Sequence, residues 1–154
     1  MKMLKVSLIA FGIMFSVQSF ASEKNLKPIN KNQTEEVTID LSQFGKYLLE
    51  DYSKTAEGVY RTEDNRYTIA IIKNEEKSHD YIGVVISSDN KYMKSGEIRF
   101  NFVLNSDNEL VGYYYDSKGD EHSVSFKLGE NGLISSLFEK VSIEELRNSG
   151  IALI

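Results

Sequence analysis

One segment in the first half of the chain has apolar residues at intervals of three and four. These residues are Leu41, Phe44, Leu48, Leu49 and Tyr52. The spacing predicts one amphipathic helix over residues 40–52, because positions three and four apart share a helix face. Asp40 or Ser42 is available as its N-cap.

Beyond residue 57 the pattern changes to short runs of β-forming residues. The seven runs are five to nine residues long and cover residues 58–62, 65–73, 80–88, 97–104, 109–116, 121–128 and 133–140. Residues that tolerate turn dihedrals separate them, and connections this short force antiparallel neighbours. The sequence therefore predicts a mainly β domain, a seven-stranded antiparallel meander that forms a small barrel or a strongly curled sheet.

Side-chain alternation assigns faces to the predicted strands. The residues expected to share a buried face are Ile98, Phe100, Phe102 and Leu104 in one run, and His122, Val124, Phe126 and Leu128 in another. Residues 67–72 and 81–86 are apolar on both faces. Their second face needs a cover, which is either the predicted helix or the opposite wall of a barrel.

The first 21 residues have the features of a secretory signal peptide. Lys2 and Lys5 form a positive n-region, residues 4–17 are almost wholly apolar, and Ser19 and Ala21 supply small side chains before the cut. The apolar run is shorter than the roughly 20 residues of a membrane-spanning helix, which argues against an anchor. We therefore predict an exported protein, periplasmic or secreted, with no stable membrane insertion after cleavage.

The predicted mature chain divides into two parts. Residues 22–38 are polar and show neither helical nor strand period, so we interpret them as a flexible leader. Residues 39–154 are interpreted as a single β-rich domain with flanking helices. The second of these helices is short and is predicted over residues 142–149, because Ser142 and Glu145 have the spacing of a capping box.

Composition and charge exclude several functions. The 154 residues include 18 Lys or Arg and 23 Asp or Glu, and loss of Lys2 and Lys5 with the signal peptide leaves 16 basic side chains and a net charge of −7. Nucleic-acid binding depends on clustered cations, so we predict no nucleic-acid partner. Cysteine is absent, which excludes disulfides, thiolate nucleophiles and Cys-ligated zinc.

Few side chains could carry out catalysis or hold a metal. His79 and His122 are the only imidazoles, and no metal-ligand spacing accompanies either of them. No nucleophile elbow of the G-x-S-x-G type occurs, and adjacent carboxylates in turns are typical of solvated surface charge. We therefore predict no catalytic residues, no metal and no cofactor, and we expect His122 in the core or at a rim.

Tyrosine stands out in the β region. Residues 113–115 are three consecutive tyrosines, which must send rings to both faces of one strand. Tyrosine rings are common in protein interfaces and at the mouths of ligand cavities, and they also form cross-strand pairs that stabilise sheets. The candidate binding residues are Tyr92, Tyr113, Tyr114, Tyr115 and His122.

Part of the β region resembles a known family. The segments that carry the resemblance are Gly58-Val59-Tyr60, residues 67–73, residues 81–85 and Lys94-Ser95-Gly96-Glu97-Ile98. Together they resemble the small β domain that precedes the catalytic domain in some bacterial tail-specific serine proteases of the C-terminal processing type. Met93 stands where that pattern has a Trp. Because the catalytic Ser and Lys of those proteases lie in a different domain, the resemblance implies a secreted, non-enzymatic β module.

Three functions remain open at this stage. The first is a non-enzymatic binding module that recognises another envelope or secreted protein, as an inhibitor, an immunity protein or an envelope accessory protein does. The second is a small β-barrel that carries an apolar ligand, with interior room beside Gly83 and Gly112 and with Tyr114 or His122 at its mouth. The third is an enzyme whose site has no recognisable sequence pattern.

Overall fold

The computed structural model describes residues 36–50, 56–75, 77 and 80–148. The predicted signal peptide, most of the predicted leader, His79 and residues 149–154 lie outside the described residues. The described elements, in chain order, are α1 (Leu41–Glu50), β1 (Gly58–Arg61), β2 (Tyr67–Lys73), β3 (Asp80–Ser88), β4 (Ile98–Leu104), β5 (Glu109–Tyr115), β6 (Glu121–Gly129), β7 (Gly132–Ile134), β8 (Glu139–Lys140) and α2 (Ile143–Asn148).

The strands form one antiparallel sheet in the order β7-β6-β5-β4-β3-β2-β1-β8. Strands β1 to β7 each pair with their neighbours in sequence, whereas β8 returns to pair with the outer edge of β1. That return brings the two ends of the sheet together, so the sheet is a nearly closed barrel. The predicted mainly β meander with an N-terminal and a short C-terminal helix is confirmed, with eight strands instead of seven.

The additional strand arises where the last predicted run is broken. Ser135 lies in the middle of that run, and its hydroxyl accepts hydrogen bonds from the Leu137 and Phe138 amides at 3.0 and 3.2 Å. A serine that caps the following backbone in this way forms a turn, which removes those amides from any strand pairing. The run predicted over residues 133–140 therefore divides into β7 and β8.

Both helices begin at side chains that cap their N-termini. The Asp40 carboxylate accepts from the Ser42 and Gln43 amides at 2.9 and 3.0 Å, so Asp40 and not Ser42 is the N-cap of α1. Ser142 accepts from the Glu145 amide at 3.2 Å at the start of α2. Both predicted helix starts are confirmed to within one residue.

Both faces of the sheet are buried, each by a different part of the fold. On the outer face α1 and α2 cover the helix-side cluster, whose buried members are Ile39, Leu41, Val59, Ala70, Ile82, Val84, Ile86, Ile98, Val141 and Leu146. The inner face encloses the barrel cluster, whose buried members are Ala56, Tyr60, Ile69, Ile71, Tyr81, Phe100, Phe102, Leu110 and Leu128. Both covers considered for the two-sided strands β2 and β3 are therefore present.

A β-bulge in β4 corrects one predicted face. Phe100 lies opposite Gly83, but Ile98 lies opposite Val84, so Arg99 is an extra residue in the ladder. Ile98 consequently packs in the helix-side cluster while Phe100 packs in the barrel cluster. The expectation that these two side chains share a face is wrong, because alternation assigns faces only where strand pairing is regular.

The described chain is already paired before residue 39. Glu36 forms an isolated antiparallel bridge with Glu97, and the Val37 amide donates to the Gly96 carbonyl at 2.8 Å. These contacts attach residues 36–38, which the sequence analysis assigns to the leader, to the residues just before β4. The ordered domain therefore begins at least three residues before the predicted boundary.

Tyr60 on β1 connects to β7 across the gap between the two ends of the sheet, β7 and β8. Its fully buried hydroxyl donates to the Ala56 carbonyl at 3.1 Å and is hydrogen-bonded by the Leu133 backbone. Burial raises the pKa of Tyr60 well above its ordinary value, although the bond from Leu133 opposes that rise. The phenol is therefore neutral at physiological pH and connects β1 to the β7 backbone at Leu133.

Two glycine substitutions test the packing of this sheet. A Cβ on Gly112 would lie 1.8 Å from the Asn101 carbonyl oxygen on the adjacent strand, whereas a Cβ on Gly45 in α1 would meet nothing within 4 Å. We expect Gly112→Ala to lower the free energy of unfolding by about 3 kcal/mol or more. Gly45→Ala should raise it by about 0.5 to 1 kcal/mol, because alanine loses less conformational entropy in a helix.

Urea denaturation of both variants gives these free energies. A Gly112→Ala protein as stable as the unsubstituted one would contradict the β4–β5 register, which pairs Gly112 with Phe102 and brings its Cβ position against the Asn101 carbonyl.

Candidate functional site

Four connections lie at one end of the barrel, which we call the loop end. They are residues 62–66, 89–97, 116–120 and 135–138, which join β1 to β2, β3 to β4, β5 to β6 and β7 to β8. Successive strands of a meander run in opposite directions, so every second connection emerges at the same end. The candidate residues Tyr92 and His122 lie in or directly beside these connections.

The candidate tyrosines are distributed over three environments. Tyr92 is 63% exposed in the connection between β3 and β4, whereas Tyr115 is buried to 5% exposure. Tyr114 packs with the barrel cluster, and alternation sends Tyr113 and Tyr115 to the opposite face of β5. Tyr92, Tyr114 and Tyr115 therefore all lie at or beside the loop end, but the buried Tyr115 ring offers no surface for a partner.

His122 lies directly opposite Tyr114 in the β5–β6 ladder. The two rings stack with centroids 6.1 Å apart, and Nε2 of His122 is 3.4 Å from the Asp116 carboxylate. The His122 side chain lies on the inward face of β6, as the sequence predicts. However, 55% of it is exposed because β6 begins at the open end of the barrel. It is therefore a rim histidine rather than a core one.

Asp116 organises the turn beside this ring pair. Its carboxylate accepts from the Lys118 and Asp120 amides at 2.8 and 2.9 Å. Partial desolvation raises the pKa of Asp116, but the two backbone bonds and His122 together lower it below its ordinary value. The residue stays ionised at neutral pH and gives this side of the loop end a fixed negative charge.

A buried arginine forms hydrogen bonds to two of the connections. Arg99, the bulged residue of β4, is 6% exposed and donates to the Glu97 carboxylate at 2.5 and 3.1 Å. Its guanidinium also donates to the carbonyls of Asp116 at 2.7 Å and Tyr92 at 3.2 Å. The connection that holds Tyr92 and the turn that holds Asp116 are thus fixed relative to each other. Nothing in the sequence indicated this role, because it follows from the bulge.

Large apolar side chains are exposed at the same end. Tyr92, Ile134 and Leu137 are 63, 64 and 66% exposed, and Ile134 and Leu137 lie at and just beyond the end of β7. A groove of about 540 Å³ runs beside Leu137, between the connections that follow β1 and β7. Sequence reasoning missed Ile134 and Leu137 because it placed both inside one continuous strand.

The inner wall behind the ring pair is aromatic and only partly covered. Tyr67, Tyr114, Val124, Phe126, Leu133 and Phe138 pack against the barrel cluster while remaining partly exposed. The Tyr67 hydroxyl is buried and has no hydrogen-bond partner among the described residues. Burial raises the pKa of Tyr67 well above its ordinary value, and the nearby Tyr114 adds to this.

The two glycines expected to leave interior room do not do so. A Cβ on Gly83 would lie 2.8 Å from the Phe100 Cβ, so the Phe100 side chain occupies that position. The position of a Gly112 side chain is taken by the backbone of β4 at Asn101. Any space inside the barrel must therefore lie towards β6 and β7, where the inner side chains are less covered.

The described part of the chain has neither a cluster of metal ligands nor a membrane-spanning helix. Among residues 36–50, 56–75, 77 and 80–148 no three His, Asp or Glu side chains are grouped so that they could hold a metal ion. Neither described helix is long and apolar enough to cross a membrane.

No protein-family model, no curated protein and no solved structure matches this chain. The resemblance to the protease-associated β domain therefore stays a prediction.

Two conservative substitutions test which of the two buried phenol hydroxyls is hydrogen-bonded, that of Tyr60 or that of Tyr67. Tyr60→Phe should lower the free energy of unfolding by about 1 to 2 kcal/mol, because it leaves the groups at Ala56 and Leu133 without their partner. Tyr67→Phe should raise it by about 1 kcal/mol, because it removes a buried hydroxyl that has no such bond.

Thermal and urea unfolding of the two variants, compared side by side, measure the difference. A Tyr67→Phe protein destabilised as much as Tyr60→Phe would mean that the Tyr67 hydroxyl is hydrogen-bonded in solution.

Proposed function

We propose that this protein is an exported, non-enzymatic binding module that recognises another protein through the loop end of its barrel. The observation that supports this most directly is the exposure of Tyr92, Ile134 and Leu137 by about two-thirds at that one end. Exposed apolar side chains that gather on one part of a surface are typical of interaction sites. The proposal that the protein is exported rests on the predicted signal peptide. The proposal that its partner is a protein rests on the exposed apolar side chains of the loop end.

The architecture beneath these side chains favours binding. Arg99 fixes the connections that follow β3 and β5, so Tyr92 is presented on backbone that is already ordered. Binding through a preorganised surface loses less conformational entropy than binding through mobile loops. Tyrosine adds contact area and a hydroxyl at low entropic cost, which makes Tyr92 the expected anchor.

The loop end carries charges of both signs. Its four connections contain six acidic residues, Glu63, Asp64, Asp89, Glu97, Asp116 and Asp120, and four basic ones, Arg66, Lys91, Lys94 and Lys118. Asp64 and Asp89 share Arg66 as an exposed ion-pair partner, and the Lys91 ammonium lies 5.0 Å from the centre of the Tyr92 ring. Charged rims steer association and select partners more than they add affinity. A partner that binds this end therefore meets both acidic and basic groups around the apolar side chains.

Site-specific photo-cross-linking tests this proposal in the exporting cell. A photoreactive phenylalanine analogue in place of Leu137 should give a discrete protein adduct. The same analogue in place of Asn131, an exposed residue in the turn at the opposite end of the barrel, should give none. Equal adducts at the two positions, or none at either, would contradict the loop end as the contact surface.

The accompanying variant separates binding from folding. Tyr92→Ala in the Leu137 cross-linking background should reduce the adduct about tenfold, the effect of losing an interface anchor. It should change the free energy of unfolding by no more than about 0.5 kcal/mol, because the side chain is exposed and Arg99 holds only the Tyr92 carbonyl.

A second candidate function is the carriage of an apolar ligand inside the barrel. The incomplete cover over Val124, Phe126, Leu133 and Phe138, next to the buried Tyr67 hydroxyl, favours it. A ligand with an apolar body and one polar group would complete both the packing and the hydrogen bonding. The packed positions of Gly83 and Gly112 restrict any such ligand to the β6–β7 side.

Native mass spectrometry of residues 22–154, isolated gently from the envelope fraction, tests the second candidate. A ligand-carrying barrel should retain a small-molecule mass that Val124→Trp abolishes by filling the interior. Ser123→Trp is the matched control, because Ser123 is the neighbouring residue on the exposed face of β6. A protein that carries no such mass, or whose adduct survives Val124→Trp, would eliminate the interior as the binding site.

A further inference from the structure

A second groove lies at the end of the barrel opposite the loop end. It has a volume of about 710 Å³ and runs between α1, the segment that precedes α1, and the last residues of β2. Pockets for small organic ligands usually have volumes of about 300 to 1,000 Å³. The groove shares no residue with the loop end, so it constitutes a separate candidate site.

One wall of the groove is apolar and aromatic. The Phe44 and Tyr47 rings stack with centroids 6.0 Å apart and planes 18° apart, and Val37 and Ile72 lie beside them. Phe44, Val37 and Ile72 are partly buried against the helix-side cluster. A ligand in this groove would contact ring faces and aliphatic carbons, which suits an apolar body and also favours a cation placed over a ring.

A buried carboxylate lines the groove next to the aromatic wall. Glu57 is only 2% exposed, and it accepts hydrogen bonds from the Lys73 amide at 2.9 Å and from the Tyr47 hydroxyl at 3.1 Å. No ion pair within 4 Å involves Glu57 among the described residues. A carboxylate removed from water is costly unless a cation accompanies it, so this wall has the chemistry of a cation site.

The other charged groups around the groove are mostly acidic. Asp40 and Glu75 line it together with Glu57, and Lys73 is the one basic residue in the lining. Lys140 on β8 is attracted electrostatically to Glu57, and it lies 5.8 Å from the centre of the Tyr60 ring. Three carboxylates therefore face two ammonium groups, and the balance around the groove is negative.

We propose that this groove binds a small organic cation, with the apolar part of the ligand on Phe44 and Ile72 and its ammonium group beside Glu57. The aromatic pair and the buried carboxylate line one cleft of suitable size, and the Tyr47 hydroxyl joins them. An amine with an apolar body complements both groups, whereas a neutral apolar molecule brings no positive charge to the carboxylate. The inference does not depend on the loop end or on a protein partner.

Titrations with phenethylamine and with phenethyl alcohol at pH 7 test the proposal, because the two probes differ chiefly in charge. We expect the amine to bind about tenfold more tightly, in line with the strength of a charge-assisted hydrogen bond. Amide NMR shifts at Lys73, whose amide contacts Glu57, report binding at this groove specifically. Equal affinity for the two probes, or shifts confined to other regions, would overturn the proposal.

Two variants sharpen the test. Glu57→Gln keeps the shape of the side chain and should abolish the preference for the amine. Glu75→Gln at the exposed rim should weaken amine binding about twofold to threefold, and Glu130→Gln in the turn between β6 and β7 is the control expected to change nothing. If Glu57→Gln proves unstable, the amine preference of the unsubstituted protein and its reduction by about twofold to threefold in Glu75→Gln still decide the matter. A Glu57→Gln protein that is folded and keeps the preference would refute the assignment.

Discussion

The fold depends on the burial of both faces of β2 and β3. Ala70 and Val84 face the helices while Ile69 and Ile71 face the barrel interior, so neither face can be left in water. Two different covers meet this requirement, because the helices take one side and the curl of the sheet takes the other. The curl in turn brings β7 and β8, the two ends of the sheet, together, and the Tyr60 phenol connects β1 to β7 across the gap between them.

The bulge at Arg99 connects this packing to the candidate site. Without the extra residue, alternation would place Ile98 and Phe100 in the same cluster, and the helix-side cluster would lose a member. With it, the guanidinium lies where it can reach the connections after β3 and β5. The same irregularity therefore completes a core and orders the end of the barrel that presents Tyr92.

Local signals in the sequence predicted the local features of the fold. The caps at Asp40 and Ser142 and the β runs themselves depend on neighbouring residues alone, and the structure has them. The features that were missed depend on pairing with distant strands. The face of Ile98 follows from the register with β3, and the exposure of His122 follows from its place at a strand end. The same holds for the candidate site, where only position in the barrel separates the exposed Tyr92 from the buried Tyr115.

The two proposed binding surfaces lie at the two ends of the barrel, where neither the sheet nor the helices cover the side chains completely. At the loop end the connections do not pack in the barrel cluster, and apolar side chains such as Leu137 are exposed to solvent. At the opposite end α1 covers β2 incompletely and leaves the groove above Ile72. Both places carry excess carboxylates, as an acidic chain would at most points of its surface, so charge alone does not distinguish them. The distinction lies in what each surface offers: the loop end exposes Tyr92, Ile134 and Leu137 and suits a protein surface, whereas the groove encloses a single buried carboxylate and suits one small cation.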